Sequence, residues 1–385
     1  MTRRVLFYVQ HLLGIGHMKR AAAVARALAA RDDLRVDLVV GGPQVPSLDF
    51  GRATVHRLPP VQAADAAFSA LVDAATGAPL DDALKARRRD RLLALFRDLV
   101  PDVVITEMFP FGRRQFRFEL LPLLEAARAR SPRPVILSSV RDVLVTKDKP
   151  GRTEEMLGWA QAFYDRVLVH GDPKVIAFDE TFPAARACAG LLAYTGYVVD
   201  PPVPPPADAG GVVVSVGGGA VGTGLLRLAL AARPLSRLKD LDWLLLTGPN
   251  LPDTEAAFLR NRAGGGVRVE TFRPDLPGLL AGCRVSVSQA GYNTVLDGLA
   301  AGASMVVQPF ADGAETEQAF RARRFAERGL LRVLSAGETS PKSVAEAIDA
   351  ASEMSPTVEK GIDLNGAATS AALVAALATG GDGGT

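Results

Sequence analysis

The sequence predicts an α/β protein made of two parallel-sheet domains. Three observations carry this. Short apolar, β-branched runs alternate with helical patterns along the chain. The runs are apolar on both faces, as parallel strands covered by helices must be. Five prolines fall within six residues at 201–206 and divide the chain near its middle.

In chain order, strands are expected at 4–9 (RVLFYV), 35–40, 102–106, 134–139 and 166–170, and then at 211–216 (GVVVSV), 242–247, 266–270, 284–288 and 304–308. Helices are expected over 17–30, 81–99, 115–129, 222–232, 291–301, 314–328 and 340–351. The domains then read as 1–196 and 211–365, joined by a proline-rich linker at 197–210 that favours a stiff, extended connector. A last helix at 366–379 precedes a glycine-rich tail, 380–385, read as disordered. Two such Rossmann-like domains facing each other leave a cleft at the carboxyl ends of their strands, where ligands of open α/β sheets bind.

Composition narrows the function. The 385 residues are 48% apolar and 22% charged, enough for two sizeable cores. Forty-four basic against 42 acidic residues give +2, so no whole-chain field for nucleic acid exists. Cys188 and Cys283 fit neither a disulfide framework nor a zinc spacing, and His11, His17, His56 and His170 are scattered, so no metal site is expected. The apolar run Val5–Val9 is too short for a signal peptide, and no run is long enough to span a bilayer. A cytoplasmic location is expected. Lys85, Arg87, Arg88, Arg89 and Arg91 rim Leu92, Leu93, Leu95 and Phe96 on the 81–99 helix. That face suits peripheral contact with anionic lipid at the inner side of a membrane, or a plain amphipathic helix with its basic side in water.

Four motifs carry chemistry. Gly14-Ile15-Gly16-His17 follows the first strand and opens a helix. Glycine lets the backbone approach a ligand, and the helix N-terminus offers N–H groups to an anion. The dipole there favours a neutral His17 imidazole, able to take a proton from a hydroxyl or a water. An incidental histidine in a tight turn is the plainer reading. Gly217 to Gly224, with Gly218 and Gly219, follows strand 211–216 and suits a phosphate cradle. It also fits the dinucleotide spacing, but strand 242–247 ends in Leu-Leu-Thr-Gly, without an acid for a ribose. Ser288-Gln289-Ala290-Gly291-Tyr292-Asn293-Thr294 places several donors at a second helix start. Asp297, further along that helix, suits a ribose diol, though simple capping and a solvated Asp297 would also account for the pattern. After strand 304–308, Glu317 and Gln318 suit sugar hydroxyls or a polar first turn.

In the first domain, Glu107, Phe111 and Arg113 follow one strand; Ser139, Arg141 and Asp142 follow another; His170 and Asp172 follow a third. Glu107, Phe111 and Arg113 are read as acceptor-side residues, and Arg141 as a positioning one. Asp240 and Asp242 look like a metal pair but precede their strand, at the wrong end of the sheet.

Together these motifs resemble a GT-B glycosyltransferase. The second domain resembles the C-terminal domain of glycosyltransferase family 28, the family of the enzyme that adds N-acetylglucosamine to the peptidoglycan lipid precursor. The runs His11–His17 and Glu107–Gly112 resemble a branch of predicted glycosyltransferases. The resemblance implies that Gly16, Gly218, Gly219, Ser288, Gln289, Ala290, Gly291, Asn293 and Thr294 surround the donor diphosphate. It places Thr271, Phe272 and Arg273 at the base and Asp297 at the ribose, as Asp where the family has Glu. Glu317 and Gln318 fall where a Gln pair meets donor sugar hydroxyls, so one position departs. His17 becomes the base near the acceptor. The implied reaction is one inverting displacement from a nucleotide-sugar, expected to be a UDP-sugar, without metal or cofactor. Gly16 to Arg20 also resembles nucleotide-sugar hydrolases in which the corresponding His serves a water. A non-catalytic nucleotide-sugar sensor is the third reading. The acceptor and the oligomeric state have no sequence signal.

Overall fold

The computed structural model describes residues 2–12, 16–65, 70–144, 151–217, 222–310, 317–335, 339–354 and 361–381. The chain divides into two units, Met1–Val198 with Asp363–Thr385, and Val199–Ile362.

The first unit holds strands β1 (Arg3–Val9), β2 (Leu34–Val40), β3 (Thr54–Arg57), β4 (Val61–Ala63), β5 (Leu71–Asp73), β6 (Val103–Glu107), β7 (Val135–Arg141), β8 (Arg166–His170) and β9 (Leu192–Tyr194). Its helices are α1 (Gly16–Ala29), α2 (Asp82–Leu99), α3 (Arg117–Ala129), α4 (Arg152–Phe163) and the single turn α5 (Phe178–Thr181). Seven strands form one parallel sheet in the order β3-β2-β1-β6-β7-β8-β9, and β4 and β5 form a separate antiparallel hairpin. Side chains alternate across β1. Val5, Phe7 and Val9 join a core with Ala21, Val24 and Leu28 of α1, while Leu6 and Tyr8 face Leu92 of α2 and Leu120 of α3.

The second unit holds β10 (Val212–Ser215), β11 (Trp243–Leu246), β12 (Val267–Glu270), β13 (Val285–Gln289), β14 (Met305–Gln308) and β15 (Arg332–Val333). Its helices are α6 (Thr223–Ala232), α7 (Asp253–Arg262), α8 (Leu276–Gly282), α9 (Tyr292–Ala300), α10 (Glu317–Glu327) and α11 (Pro341–Ala351). The six strands are parallel in the order β12-β11-β10-β13-β14-β15. Val212, Val214 and Trp243 form its core with Leu226 of α6 and Ile348 of α11.

Three expectations change. The proline run is no free connector. It lies on α8, where Gly278 and Gly282 leave room for the Pro204 carbonyl and the Pro205 ring. The last helix, α12 (Gly366–Ala378), is part of the first unit. The Tyr197 N–H donates to the Asp363 carbonyl at 2.8 Å, and the Gly366 N–H donates to the Tyr197 carbonyl at 3.0 Å. Leu373 and Val374 then complete the core that the alanine-rich face of α1 leaves open. Finally, the apolar side of α2 does not face lipid, because Leu84, Leu92, Leu95 and Phe96 are buried in the core. Among the described residues no helix is long and apolar enough to cross a membrane.

Arg88 of the α2 basic run is itself fully buried. Its Nε and Nη2 donate to the two Glu119 oxygens of α3 at 2.9 and 2.7 Å, and Nη2 also donates to Gln10 Oε1 at 2.9 Å. Nη1 donates to the Gly41 carbonyl at 2.8 Å, and the Tyr8 hydroxyl donates to Glu119. Arg88→Ala strands the Glu119 carboxylate in the core and is expected to cost about 3–5 kcal/mol in urea unfolding. Replacing both partners, as Arg88→Met with Glu119→Leu, should recover most of that loss. A single variant within about 1 kcal/mol of wild type would contradict this account of the pair.

Candidate functional site

In a doubly wound sheet the polar residues gather where the strand order reverses, at the carboxyl edge. In the first unit that point lies between β1 and β6. Helix α1 begins after β1 and holds His17 in its first turn, and β6 ends on Glu107. His17 Nδ1 lies 3.2 Å from Glu107 Oε1. Arg20, one turn along α1, donates to the same oxygen and lies 3.3 Å from His17 Nδ1. From β7, the Ser139 hydroxyl donates to Glu107 Oε2 at 2.5 Å. From β8, His170 Nε2 lies 2.9 Å from Ser139 Oγ, and His170 Nδ1 lies 2.8 Å from the Thr195 hydroxyl, just past β9.

Proton counting gives this chain a direction. A carboxylate only accepts, so the single Ser139 proton goes to Glu107. His170 then donates Nε2–H to Ser139 and accepts at Nδ1 from Thr195. At His17 two partners compete. Nδ1 either donates to Glu107 or accepts from Arg20, whose guanidinium only donates.

Electrostatics keep both rings neutral. Burial and then Arg113 lower the His17 pKa to about 3, against the opposing bond to Glu107, with Arg20 and Arg141 adding to the depression. The ring still keeps 19% of its surface exposed, so a substrate can reach it. Burial lowers His170 to about 3 as well. Burial alone would raise Glu107, but Arg20 and the bonds from His17 and Ser139 hold it at about 2. Arg113 is lowered to about 10, mainly by burial. Its backbone is left-handed, with φ 56°, and its Nε donates to the Gln10 carbonyl at 2.8 Å.

Two acceptor-side expectations are corrected. Glu107 is fully buried and touches the catalytic candidate rather than an acceptor. Phe111 is buried and packs edge-on against Phe178 and Phe182, with ring centroids 5.6 and 5.9 Å away. Arg141 ends β7 beside His170, where its charge bears on His17. Arg20 and Thr195 were not singled out from sequence. The spacing of Arg20 from His17, one helical turn, is the only signal there was.

In the second unit the order reverses between β10 and β13. Gly217 and Gly222 flank the glycine loop with φ 61° and 113°. A side chain at Gly222 would strike Val216 and crowd Gln289. Gly218 and Gly219 lie outside the described residues. Helices α6 and α9 start at Gly222 and Gly291 without a side-chain cap bond. Among the described residues no side chain caps either helix start, the place where a helix meets caps, ligands or water. Ser288 Oγ, buried at the end of β13, has no partner among the described residues. The Ala290 N–H is used by the Gln308 carbonyl at 3.0 Å, so Ala290 shapes the turn rather than donating from it. Gln289, Asn293, Thr294 and Asp297 are half-buried around it.

Three further positions differ in what they offer. Phe272 is 69% exposed at the end of β12, while the Arg273 side chain is held by Asp275 and Asp208. The Thr271 carbonyl accepts from the Gly248 N–H at 3.0 Å. Glu317 is not presented as a sugar ligand. It is buried, and Arg321, stacked 4.7 Å over the Tyr292 ring, donates to it at 2.7 Å. Gln318 accepts from the Phe310 N–H at 3.2 Å, so its amide N–H groups are what it has to offer a hydroxyl. Among the described residues no group of three or more His, Cys, Asp or Glu stands together as a metal site.

Two doubly wound parallel-sheet units define the GT-B fold, and solved glycosyltransferases share it. VinC in complex with dTDP aligns with TM-score 0.63 at 16% identity, over 98% of this chain and 100% of its own. MurG of Acinetobacter baumannii aligns with TM-score 0.61 at 16% identity, over 96% and 99%. The calicheamicin glycosyltransferase aligns with TM-score 0.60 at 19% identity, over 97% and 95%. No curated protein sequence matches the chain. Residues 213–373 match the family model of the glycosyltransferase family 28 C-terminal domain. Glycosyl transfer is the chemistry these likenesses support.

Both rings have folded pKa values below 6.5, so the unfolded chain takes protons first as pH falls. Their contribution to stability is full above about pH 6.5 and is lost as pH falls toward about 3. Ring signals in NMR should stay neutral down to about pH 5, and His170→Asn should flatten the acid limb of stability. Titration of His17 near its ordinary value would refute this electrostatic picture.

Proposed function

We propose that the protein transfers a sugar from a nucleoside diphosphate donor, a UDP-sugar, to an acceptor hydroxyl, with inversion and without a metal. The observation that carries the reading is the His17–Glu107 pair at the first unit's switch point. Both rivals at Nδ1 are charge-assisted, but Arg20 already donates to Glu107 Oε1, so we take the Nδ1 proton as the one given to Glu107. The ring then carries its proton on Nδ1, and Nε2 is the base.

The step balances simply. The acceptor oxygen forms a bond to the anomeric carbon and gives its proton to His17 Nε2. The bond from that carbon to the diphosphate oxygen breaks, and the electron pair leaves with the nucleoside diphosphate. The N-terminus of α9 and the Ser288 hydroxyl stabilise that negative charge. Glu107 stabilises the imidazolium, and Ser139 with His170 keeps Glu107 aimed. Asp297 is assigned to the ribose and exposed Phe272 to the base. An imidazole near 3 is a weak base on its own. Negative charge brought against Arg113 or Arg141 would restore its proton affinity.

Nucleoside diphosphate release from a panel of UDP-, dTDP- and GDP-sugars tests the reading. Release should be slow alone, faster with a cell extract, and unchanged by EDTA. His17→Ala should bind UDP normally and lose turnover by roughly a hundred- to ten-thousandfold. Asp297→Ala should weaken UDP binding about tenfold while sparing His17 chemistry. Fast release without acceptor would instead mark a hydrolase, and saturable binding without release a sensor. Ser139→Ala should let the His17 proton spread between its two nitrogens, which 15N spectra report without any turnover. An unchanged tautomer would remove Ser139 and His170 from the base's support.

A further inference from the structure

A cavity of about 520 Å³ in the first unit has no role in the steps above. It lies between the β4–β5 hairpin, the start of α2 and the turn into α3. Leu71, Leu80 and Phe118 give it an apolar wall, and Lys85, Arg114 and Arg117 line it with positive charge. Leu80 and Phe118 pack inward on the core, so their outer faces form a fixed floor.

Among the described residues no acid lines this cavity. Lys85 meets Asp82 at 2.8 Å, but that carboxylate is 97% exposed, and such a pair holds its cation weakly. Arg114 bonds to Glu155 of α4. Arg117 is exposed and has no acidic partner among the described residues. Three cations over an apolar floor select an organic anion rather than a neutral sugar. The volume suits one small molecule, and the apolar face of α2 is already used by the core, so a lipid surface is not favoured.

The walls of the cavity are tied to the residues that follow β1. Arg114 follows Arg113, which is tied to the Gln10 carbonyl. The hairpin is tied to the same loop, because the Ala63 N–H donates to the Leu12 carbonyl at 3.2 Å. The weak proton affinity of His17 points the same way, since an anionic acceptor would offset the arginines around the base.

We infer that this cavity binds the acceptor, and that the acceptor is a small organic acid, a carboxylate or phosphate on an aromatic or alkyl body that carries the hydroxyl. Calling the ligand an acceptor rests on the transferase reading; its charge and apolar body do not.

Calorimetry with 2-naphthoate, 2-naphthyl phosphate and neutral 2-naphthamide tests this on the full chain. At least one of the two anions should bind saturably, and the amide about tenfold more weakly, as expected when a charge-assisted bond is lost. Arg117→Glu should weaken the anion about tenfold, and added salt should do the same in part. Arg128→Glu, an exposed change at the far end of α3, should leave it unaltered. Arg117→Gln, with circular dichroism as a check of folding, serves if the charge reversal perturbs the chain. No saturable binding of either anion, equal binding of the amide, or an unaffected Arg117→Glu would overturn the assignment. UDP binding measured on the same samples keeps the two readings apart. Anion binding without sugar transfer would sink the transferase alone, and sugar transfer without anion binding would sink the cavity's role alone.

Discussion

A carboxylate with no solvent exposure, Glu107, is the constraint around which the first unit is arranged. Moving a charge out of water costs several kcal/mol even after relaxation, so partners must surround it closely. Arg20 and His17 approach one oxygen and Ser139 the other. This fixes where α1 starts, because residues one turn apart must both reach the end of β6. It also fixes β7, whose Ser139 pairs with Glu107 across the sheet. Ser139 has one proton and spends it on Glu107, so His170 and then Thr195 are required in turn. One buried charge thereby sets side chains on α1, β7, β8 and the residue after β9.

The second unit meets its switch point in the opposite way. The first unit gathers charges that satisfy one another and leaves cations in surplus. Among the described residues the second has no side-chain cap at the starts of α6 and α9 and no partner for Ser288 Oγ. Unmet donors are costly only when no anion or water reaches them. Each arrangement favours a negatively charged ligand, one through fixed cations and the other through oriented N–H groups. The buried Glu317–Arg321 pair belongs with the first strategy. It closes a charge internally, and it brings the guanidinium over Tyr292 at the head of α9.

What was legible follows from which forces act locally. The ten long apolar runs are all strands, because burial on both faces writes itself into the composition. Of the four edge strands β12 is among those runs, but β3, β9 and β15 are short and no such run marks them; Thr54–Arg57 reads as polar loop until its pairing with β2 is seen. His17 was legible because a glycine turn into a helix is a local event. The relay behind it was not. Ser139 and His170 are 31 residues apart, and only adjacent parallel strands bring them together. Arg88 looked like one cation among five, since the Glu119 partner that buries it sits on another helix. The proline run signalled stiffness correctly, but the α8 surface that receives it is a tertiary matter.

The two buried ion networks meet at one residue. The Gln10 side chain accepts from Arg88 and donates to the Val61 carbonyl at 2.9 Å, while the Gln10 carbonyl accepts from Arg113. The Arg88–Glu119 pair therefore anchors the end of β1 from the α2–α3 side, and Arg113 holds it from the β6 side. The loop that leaves β1 leads straight into His17. A base must be held to within a few tenths of an ångström to act, and loops alone rarely do this. Here the residues that stabilise the core are the ones that hold Gln10, where the chain leaves β1. A core substitution at Arg88 or Glu119 would thus register at His17 through Gln10, without either residue touching a substrate. Stability and site geometry are coupled in this unit because the same strand end serves both.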